Sequence, residues 1–418
     1  MKKIDLLLIM LFFAGILPAV LRADQQTNEK VLNEVWQEVA RTHYRKDFDT
    51  VYRKKVYEKH RSGILQSQTV DELTANLNKM LEDIGDSHLF VLGKGEPTPR
   101  FRPVENPGPA DLPADPGFTV LGNGRELLVW NVRPDSAADK AGIQAGDILL
   151  ELEGWPCAVN RKNAMQTNII AKSLLERGGK DSVCEVKIRS RAAQKVRTLR
   201  LKRSIHGGKW FQTAGLPPMV LRYETKMLAP ETGYLRFNIF APEVVKNFRK
   251  DRRHGVLKDA RNLIIDLRGN PGGILLTAEW LGAWCFPEKL PMGTLIMDGV
   301  KLTPVTEPQK GCFNGRVIVL TDGDSASTSE LFAAAVQDNK AGTVIGSRTP
   351  GKCLPSLFLD LPCGFRVQTV SGDARRPSGK GIERIGVTPD ILIENSFDGQ
   401  GRDRVLAEAL QILAKEEK

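Results

Sequence analysis

The sequence lacks the features that mark several common classes of protein. Its 418 residues include six cysteines and five histidines but no C-x-x-C pair, so the pattern does not favour a structural zinc site. After residue 21 no segment is long and apolar enough to span a bilayer, and there is no internal repeat. There is also no nucleic-acid motif and no basic helix interleaved with aromatic residues. The Lys and Arg residues behind the formal net charge of +10 are dispersed, which indicates solubility or attraction to an anionic envelope surface.

Residues 1–23 have the pattern of a secretory signal peptide. Met1, Lys2 and Lys3 form a short positive region, residues 6–21 are mainly apolar, and Ala23 is a small residue suited to cleavage. The alternative is an uncleaved membrane anchor, and no cysteine follows the apolar stretch as a lipoprotein anchor needs. We expect an exported protein, periplasmic or extracellular, whose mature chain has no transmembrane span. In that oxidising compartment the six cysteines can pair, but their spacing specifies no pairing.

The rest of the chain divides into segments of different pattern. Residues 24–95 carry apolar residues at helical spacing and predict a helical N-terminal region. Residues 96–114 are rich in proline and glycine and predict a linker. Residues 115–204 contain short apolar strands with turn signals, which predicts a small β-rich domain. In residues 205–418 apolar strands alternate with helical stretches, so the predicted fold class is multidomain α/β.

A serine cluster carries the strongest functional signal. The apolar run at residues 317–320 predicts a buried strand, residues 321–324 end it, and residues 325–330 open an alanine-rich helix. Such a turn places a hydroxyl at a helix N-terminus, where backbone N–H groups and the helix dipole favour negative charge. A nucleophilic serine needs that setting, because its attack on a carbonyl creates an oxyanion. The competing interpretation is that serine and aspartate only cap the helix.

Two further loops follow predicted strands. Residues 263–267 run straight into the turn at residues 268–273, whose glycines allow positive φ and a close approach by another backbone or a substrate. Such a turn can aim a backbone N–H at an oxyanion, although an ordinary strand end has the same pattern. The loop at residues 346–352 ends on Lys352. A lysine desolvated beside a serine can act as a general base, whereas most loop lysines are solvated.

Five motifs carry a resemblance to a known family. The chain resembles the tail-specific, or C-terminal processing, peptidases, which are serine peptidases of the family that also contains the tricorn core protease. The resemblance covers nearly all of the chain after the leader. The motifs are GDSH at residues 85–88, GYLRF at 233–237, DLRGNPGG at 266–273, SASTSE at 325–330 and GVTPD at 386–390.

This resemblance implies roles for the serine cluster and the glycine turn. The middle serine of the family's run is the nucleophile, which corresponds to Ser327. The oxyanion hole is then formed by the N–H of Thr328 and by an N–H from the turn, for which we favour Gly272 over Gly273. Thr328 replaces the alanine that is usual in the family, a change that keeps the backbone donor. The fold implied for residues 205–418 is an α/β peptidase core of the tail-specific protease type.

The resemblance leaves two candidates for the general base. One branch of the family uses a lysine, which corresponds to Lys352, but the glutamine usual four residues later is Ser356 here. The tricorn-like branch uses a histidine oriented by a glutamate, which correspond to His88 and Glu383. A neutral imidazole is a good base near neutral pH, and a carboxylate fixes its tautomer and stabilises the cation that forms. We favour the histidine; the competing interpretations are a structural histidine and solvated Glu383 and Lys352 side chains.

Part of the β-rich domain, residues 134–149, resembles the PDZ domains embedded in processing peptidases. Gly117, Phe118, Thr119 and Val120 match the carboxylate-binding loop of such a domain, with Phe118 and Val120 expected to line the groove. PDZ domains bind an extended peptide as an added strand and hold its C-terminal carboxylate with loop N–H groups. The alternative is a PDZ fold that serves only as a regulatory lid.

The resemblance thus predicts an exported serine endopeptidase that cuts polypeptides near or from their C-terminal ends. Ser327 would form an acyl-enzyme that water hydrolyses, and catalysis would require no metal or organic cofactor. The expected partners are polypeptide substrates rather than nucleic acid, and the sequence does not specify an oligomeric state. The rival functions are a non-catalytic peptide- or ligand-binding protein on the same fold and a small-ester hydrolase.

Overall fold

The computed structural model describes residues 24–93, 112–122, 125–159, 167, 171–172, 174–176, 178–205, 208–213, 216–297, 299–394, 396–398 and 401–415. The predicted signal peptide and most of the predicted linker lie outside these residues. Within the described ranges, no helix combines the length and apolar character that crossing a membrane requires. All six cysteines fall in the described part of the chain, and all are free thiols.

The N-terminal region is helical because its apolar residues recur at helical spacing. Its elements are α1 (Gln25–Thr42), α2 (Phe48–Tyr52), a π-helix (Arg53–Tyr57), α3 (Glu58–Leu65), α4 (Val70–Glu82) and the strand β1 (Phe90–Leu92). Asp24 caps α1 and Thr69 caps α4, and each side chain accepts a backbone N–H from the first turn. The apolar stripe of α1 buries Val31, Val35 and Trp36 among the neighbouring helices.

A β-rich unit follows. Its elements are β2 (Ala114–Asp115), β3 (Phe118–Gly122), β4 (Leu127–Val132), α5 (Ala137–Lys140), β5 (Ile148–Leu152), β6 (Trp155–Pro156), β7 (Val183–Arg189), β8 (Val196–Lys202) and β9 (Ser204–Ile205). Strands β3, β4, β5, β7 and β8 form an antiparallel sheet in that order, and among the described residues β3 is an edge strand. Alternate residues of β7, namely Cys184, Val186 and Ile188, are buried in the core of the unit.

The C-terminal half is built on a central, mainly parallel sheet. The strands are β10 (Lys209–Thr213), β11 (Leu216–Leu221), β12 (Tyr223–Ala229), β13 (Thr232–Phe237), β14 (Asn262–Asp266), β15 (Thr294–Met297), β16 (Val300–Leu302), β17 (Arg316–Thr321), β18 (Thr343–Gly346), β19 (Ser356–Asp360), β20 (Arg366–Val370), β21 (Gly372–Arg375) and β22 (Ile391–Leu392). The helices are α6 (Pro242–His254), α7 (Leu275–Cys285), α8 (Thr328–Asp338) and α9 (Arg404–Lys415). The central sheet has the order β12-β13-β14-β17-β18-β22, and only the β12-β13 pair is antiparallel. The predicted α/β fold class is confirmed.

Helices cover both faces of the central sheet. Side chains of α6, α7 and α8 pack with Leu263 and Ile265 on one face, while α9 packs with Ile264, Ile318 and Ile345 on the other. Successive residues of a strand point to opposite faces, so a strand covered on both sides reads as a continuous apolar run. This explains why the run at residues 263–265 predicted a buried strand.

A second, smaller sheet ties the N-terminal region to the C-terminal half. Strand β1 pairs with β20, with Val91 opposite Val367, and β20 pairs with β19. The helices of the N-terminal region pack on this sheet and share its core, which includes Leu77, Leu354 and Phe365. The segment that ends at His88, directly before β1, is therefore held against residues that are distant in sequence.

Candidate active site

Three loops meet at one edge of the central sheet. Strands β14, β17 and β18 are parallel neighbours, so their carboxyl ends lie together. Open α/β sheets place their ligand and catalytic sites at this edge. The loops that leave these strands carry Gly272, Ser327 and Lys352, and the three residues therefore come together.

Ser327 occupies the turn between β17 and α8. Its backbone has φ 56° and ψ −119°, a conformation that is costly for a non-glycine residue and is concentrated at active sites. Two hydrogen bonds hold the turn, since the Ser327 N–H donates to the Lys352 carbonyl oxygen at 2.8 Å and to Glu330 Oε2 at 3.1 Å. Ser327 is only half-buried. Its hydroxyl is thus available at the N-terminus of a helix.

The glycine turn packs directly against Ser327. A Cβ atom at Gly272 would lie 2.8 Å from Ser327 Cβ and 2.9 Å from the Thr328 nitrogen, and the φ of Gly272 is +103°. The Thr328 hydroxyl donates to the Gly273 carbonyl oxygen at 2.8 Å and joins the two loops. The missing side chain at Gly272 is what lets the loops touch.

The backbone donors of these loops differ in how they are used. The Gly272 N–H donates to Asn270 Oδ1 at 2.9 Å, and the Gly272 carbonyl oxygen accepts the Phe240 N–H. Because C=O and N–H point in opposite directions across a trans peptide, the Gly273 N–H points away from Phe240. Within the described part of the chain, neither this N–H nor that of Thr328 has a hydrogen-bond partner. Gly273, rather than the favoured Gly272, therefore offers the unused donor of the turn.

The other two serines of the cluster have structural hydroxyls. Ser325 Oγ donates to the Leu267 carbonyl oxygen at 2.9 Å, and Ser329 Oγ donates to the Asn270 carbonyl oxygen at 2.9 Å. Both serines are fully buried. They fasten the serine turn to the glycine turn and leave Ser327 as the accessible serine of the cluster.

A buried carboxylate holds the Lys352 loop against the serine turn. Glu330 is 0% exposed and accepts the Ser327 N–H at 3.1 Å, the Thr349 hydroxyl at 2.6 Å, and the Gly351 and Lys352 N–H groups, each at 2.8 Å. These donors favour the charged form, but desolvation dominates and raises the pKa of Glu330 to about 7. Glu330 thereby sets the position of Lys352 relative to Ser327.

Glu330 should make the stability of the fold depend on pH. An unperturbed glutamate has a pKa of about 4.3, so between about pH 4.3 and 7 the folded chain keeps a proton that the unfolded chain has released. Stability therefore falls as pH rises through this window, by on the order of 3 kcal/mol for a shift of this size. We expect the wild-type free energy of unfolding, measured in urea, to decrease as pH rises through this window. The free energy of unfolding of Glu330→Gln, which cannot titrate at this position, should not show that decrease. Parallel pH dependences in the two proteins would contradict this assignment.

His88 is linked to Glu383 through Ser87. The Ser87 hydroxyl donates to Glu383 Oε2 at 2.9 Å, the Ser87 N–H donates to Glu383 Oε1 at 2.8 Å, and Ser87 Oγ lies 2.8 Å from His88 Nδ1. Because the hydroxyl proton points to the carboxylate, Nδ1 carries the ring proton and donates to Ser87 Oγ, which leaves the Nε2 lone pair free. No role was predicted for Ser87, although its place directly before His88 in the motif is a usable signal.

Burial keeps His88 neutral. Desolvation, helped by repulsion from the Lys352 ammonium, lowers the pKa of His88 to about 4. Burial raises the pKa of Glu383, whereas the hydrogen bonds that its carboxylate accepts favour the charged form and oppose this rise. One of these comes from the Cys353 N–H at 2.9 Å, so Glu383 connects the His88 loop to the loop of Lys352.

The backbone of Lys352 lies beside Ser327, because the Lys352 carbonyl oxygen accepts the Ser327 N–H. Its side chain is half-buried and, in the described part of the chain, makes no hydrogen bond or ion pair. Desolvation lowers the pKa of Lys352, while nearby carboxylates, Asp324 foremost, act in the opposite direction. Among the described residues no hydrogen bond joins Ser327 Oγ to His88 or to Lys352. The four predicted catalytic residues nevertheless form one connected cluster.

A second histidine–carboxylate pair anchors the GDSH loop from behind. Asp86 accepts hydrogen bonds from His43 Nε2 at 3.0 Å and from the Arg384 guanidinium at 2.8 Å. His43 Nδ1 accepts the Arg45 N–H, so Nε2 is the nitrogen that carries the proton. The pair joins the end of α1 to the loop of Glu383 and holds the segment that leads to His88.

In the described ranges, no group of three or more His, Cys, Asp or Glu side chains is arranged to hold a metal ion.

The predicted peptide-binding residues lie on β3 and the loop before it. Phe118 and Val120 are 1% and 2% exposed and belong to the core of the β-rich unit rather than lining an open groove. The Gly117 N–H donates to Asp115 Oδ1 at 2.8 Å, and Thr119 is half-buried. What β3 does offer, within the described residues, is the outer edge of a sheet, where an extended peptide can add as a strand.

The β-rich unit packs against the start of the glycine turn. A Cβ atom at Gly269 would lie 3.9 Å from Leu121 Cδ1, at the end of β3. On β4, the Trp130 ring lies 4.1 Å from Arg268 Cζ, and the buried Arg268 pairs with Asp266 at 2.6 Å. Strands β3 and β4 thus contact the turn whose glycines touch Ser327.

Comparison with known proteins relates the chain to a peptidase family. A sequence model of peptidase family S41 matches residues 231–393. The carboxyl-terminal-processing protease of Picosynechococcus sp. is 26% identical over 62% of this chain, and the alignment spans 59% of that relative's length. The chloroplastic C-terminal processing peptidase of Tetradesmus obliquus is 26% identical, with 93% of this chain and 83% of the relative covered.

Solved structures share the fold. The photosystem II D1 C-terminal processing protease matches with a TM-score of 0.56 at 23% identity, covering 89% of this chain and 95% of that protein. Mature CPAF matches with a TM-score of 0.57 at 14% identity, covering 88% of this chain and 92% of that protein. The family match includes the loops that carry Gly272, Ser327, Lys352 and Glu383. The resemblance that the motifs predicted is therefore confirmed, since residues 231–393 match peptidase family S41, a family of serine-type peptidases.

Proposed function

We propose that this chain is an exported serine endopeptidase that cuts polypeptides near or at their C-terminal ends through an acyl-enzyme on Ser327. The observation that carries the proposal is the contact between Gly272 and the Ser327 turn, which sets an accessible hydroxyl beside backbone N–H groups that are unpartnered in the described ranges. Acyl transfer needs this combination, because an oxyanion forms next to the attacking oxygen. The names of the relatives, carboxyl-terminal-processing protease and C-terminal processing peptidase, support C-terminal segments as substrates.

His88 acts as the general base in this proposal. Its Nε2 takes the proton of the Ser327 hydroxyl as the oxygen attacks the scissile carbonyl, and later gives that proton to the leaving amine. The cation that forms on the ring is stabilised by Glu383 through Ser87. The missing hydrogen bond between Ser327 and His88 is compatible with this role, because such bonds often tighten only when substrate is bound.

The remaining residues stabilise charge. The N–H groups of Thr328 and Gly273 donate to the oxyanion of the tetrahedral intermediate, after which water attacks the acyl-enzyme and frees Ser327. In this proposal Lys352 acts as a cation and not as the base: desolvation lowers its pKa, and nearby carboxylates, Asp324 foremost, oppose that shift and favour the ammonium. Its charge disfavours protonation of His88 and so keeps the base ready.

We further propose that the β-rich unit is a PDZ module that presents peptide to the site. The outer edge of β3 accepts an extended chain as an added strand. Because Leu121 at the end of β3 and Trp130 on β4 contact the glycine turn, a peptide bound there lies close to the catalytic loops and can influence their position.

A fluorophosphonate probe tests the proposed class of enzyme. It should label the wild-type chain and fail to label Ser327→Ala, because the probe reacts only with an activated serine. Ser325→Ala and Ser329→Ala are matched controls from the same cluster, and we expect both to keep the label. A thermal melt of each variant separates loss of the nucleophile from loss of the fold.

Two outcomes would replace the proposal. A wild-type chain that binds peptides with free C-termini, yet neither cleaves them nor takes up the probe, is a non-catalytic binder. A chain that is labelled at Ser327 and hydrolyses small esters but leaves peptides intact is an ester hydrolase.

A further inference from the structure

The cations of this chain are less dispersed in the fold than along the sequence. Helix α6, which was not predicted, carries Lys246, Arg249, Lys250 and Arg253, and all four are exposed. At 100° per residue they lie within about 100° of arc, on the side opposite the buried Phe248. We call these four residues the α6 basic face.

No carboxylate neutralises the α6 basic face in the described part of the chain. None of its four cations forms an ion pair there. Asp251, on the same helix, accepts the hydroxyls of Tyr223 and Thr225 at 2.9 and 2.7 Å. The other carboxylate of the helix, Glu243, is in its first turn. The face therefore presents a concentrated positive charge.

An exposed apolar stripe accompanies this face. Helix α7 exposes Leu276 (46%) and Trp280 (42%), which are one turn apart. Helices α6 and α7 pack side by side, and Arg253 Cζ lies 4.7 Å from the ring of Trp284, one turn beyond Trp280. The stripe and the basic face therefore belong to one surface, on which Glu279 is the carboxylate beside Trp280.

We propose that the α6 basic face and the Leu276–Trp280 stripe form a docking surface for a bilayer that contains anionic phospholipids. Lysine and arginine attract the headgroups, while tryptophan and leucine enter the interfacial layer, where tryptophan is enriched. The surface is the outer side of two adjacent helices, so it is convex and fits a lipid plane better than a peptide groove. Charge complementarity and the exposed aromatic ring together select this partner.

Docking in this orientation brings the active site close to the membrane. Helix α7 begins two residues after Gly273, in the turn that contacts Ser327. The C-terminal tail of a membrane-bound polypeptide would then meet the site at a high effective concentration.

Vesicle co-sedimentation tests the proposal, using the chain from Asp24 onward, which keeps all the described residues. It should bind vesicles of equal parts phosphatidylglycerol and phosphatidylcholine at least about tenfold more tightly than phosphatidylcholine alone, and less tightly as salt is raised. Arg249→Glu/Lys250→Glu should lose at least about tenfold of that affinity. Lys54→Glu/Lys55→Glu makes the same change in net charge at an exposed pair of the π-helix, and this control should bind as the wild type does.

A second variant tests the apolar part of the surface. Trp280→Ser should weaken vesicle binding severalfold without changing its salt dependence, because it removes an inserted ring and no charge. Equal losses in the two charge-reversal variants would show that net charge alone acts and would overturn the proposal. No binding to the anionic vesicles would also overturn it and would leave an acidic protein as the partner of the cations. Unchanged fluorophosphonate labelling verifies that each variant keeps its active site.

Discussion

Replacing Gly272 with alanine is expected to lower kcat for peptide cleavage by about a hundredfold to a thousandfold, the effect of losing one oxyanion donor. The new Cβ atom would lie 2.8 Å from Ser327 Cβ, 2.8 Å from the Ala326 carbonyl oxygen and 2.9 Å from the Thr328 nitrogen. These three atoms cannot move away from the new Cβ atom independently, because they belong to one hydrogen-bonded turn. Either the serine hydroxyl or the donors around it must move, and both are needed in place when the oxyanion forms.

Gly269→Ala is the matched control for this variant. Gly269 is in the same turn and also has a positive φ, +73°, but a Cβ atom there would meet nothing closer than Lys172 Nζ at 3.8 Å. A non-glycine residue in this conformation costs about 1–2 kcal/mol of stability, and a thermal melt should show a loss of stability in both variants. Only Gly272→Ala should also lose kcat and fluorophosphonate labelling. If Gly269→Ala lost as much activity, backbone strain would explain both variants and the proposed oxyanion hole would be wrong.

His88→Ala is expected to lower kcat by about a hundredfold to ten-thousandfold, the usual contribution of a general base. Lys352→Met keeps most of the side chain, removes the ammonium and should cost far less activity, because Lys352 does not carry the transferred proton in this mechanism. The kcat of Ser87→Ala should lie between those of His88→Ala and Lys352→Met, because Nδ1 of His88 loses the partner that fixes its tautomer. Retention of wild-type kcat by His88→Ala would transfer the role of base to Lys352.

The pH dependence of kcat/KM distinguishes His88 from Lys352 as the base, because the Lys352→Met variant should change the pH profile differently in the two cases. With His88 as base, activity should rise with pH through the pKa of His88 at about 4. Lys352→Met removes a cation that opposes protonation of His88. The pH at which kcat/KM rises should therefore increase, toward the ordinary histidine pKa of about 6.5. If Lys352 were the base, this rise would lie at higher pH in the wild type and would be absent from Lys352→Met.

Much of the peptidase half could be predicted because its signals are local. Strands β14, β17 and β18 are short apolar runs that end at Asp266, Thr321 and Gly346, and the helix after Ser327 begins where the serine cluster predicted. Parallel strands place their carboxyl ends at one edge, so the meeting of the glycine turn, Ser327 and Lys352 follows from the order of the elements. Helix α6 was missed because its charged side chains outnumber the apolar residues, Val244, Val245 and Phe248, that it buries.

Other features depended on contacts that no local pattern shows. Whether Gly272 or Gly273 has a free N–H is decided by the Asn270 side chain and by the backbone of Phe240. The PDZ pattern predicted that Phe118 and Val120 line a peptide groove, but the core of the β-rich unit takes up both side chains. Glu330 is an ordinary first-turn residue in the sequence, and only the folding of residues 349–352 around it makes it a buried acceptor of four hydrogen bonds.

The sequence by itself determined the α/β architecture, because apolar periodicity, glycine turns and helix starts act over a few neighbouring residues. The resemblance of its five motifs to the processing peptidases added the expected family and the residue proposed as the nucleophile. Only the tertiary structure decided how His88 is oriented and which cations share a face. Ser87 and Glu383 are 296 positions apart, and the pairing of β1 with β20 brings their loops together. The α6 basic face likewise exists only once a helix with a buried side turns four charged side chains outward.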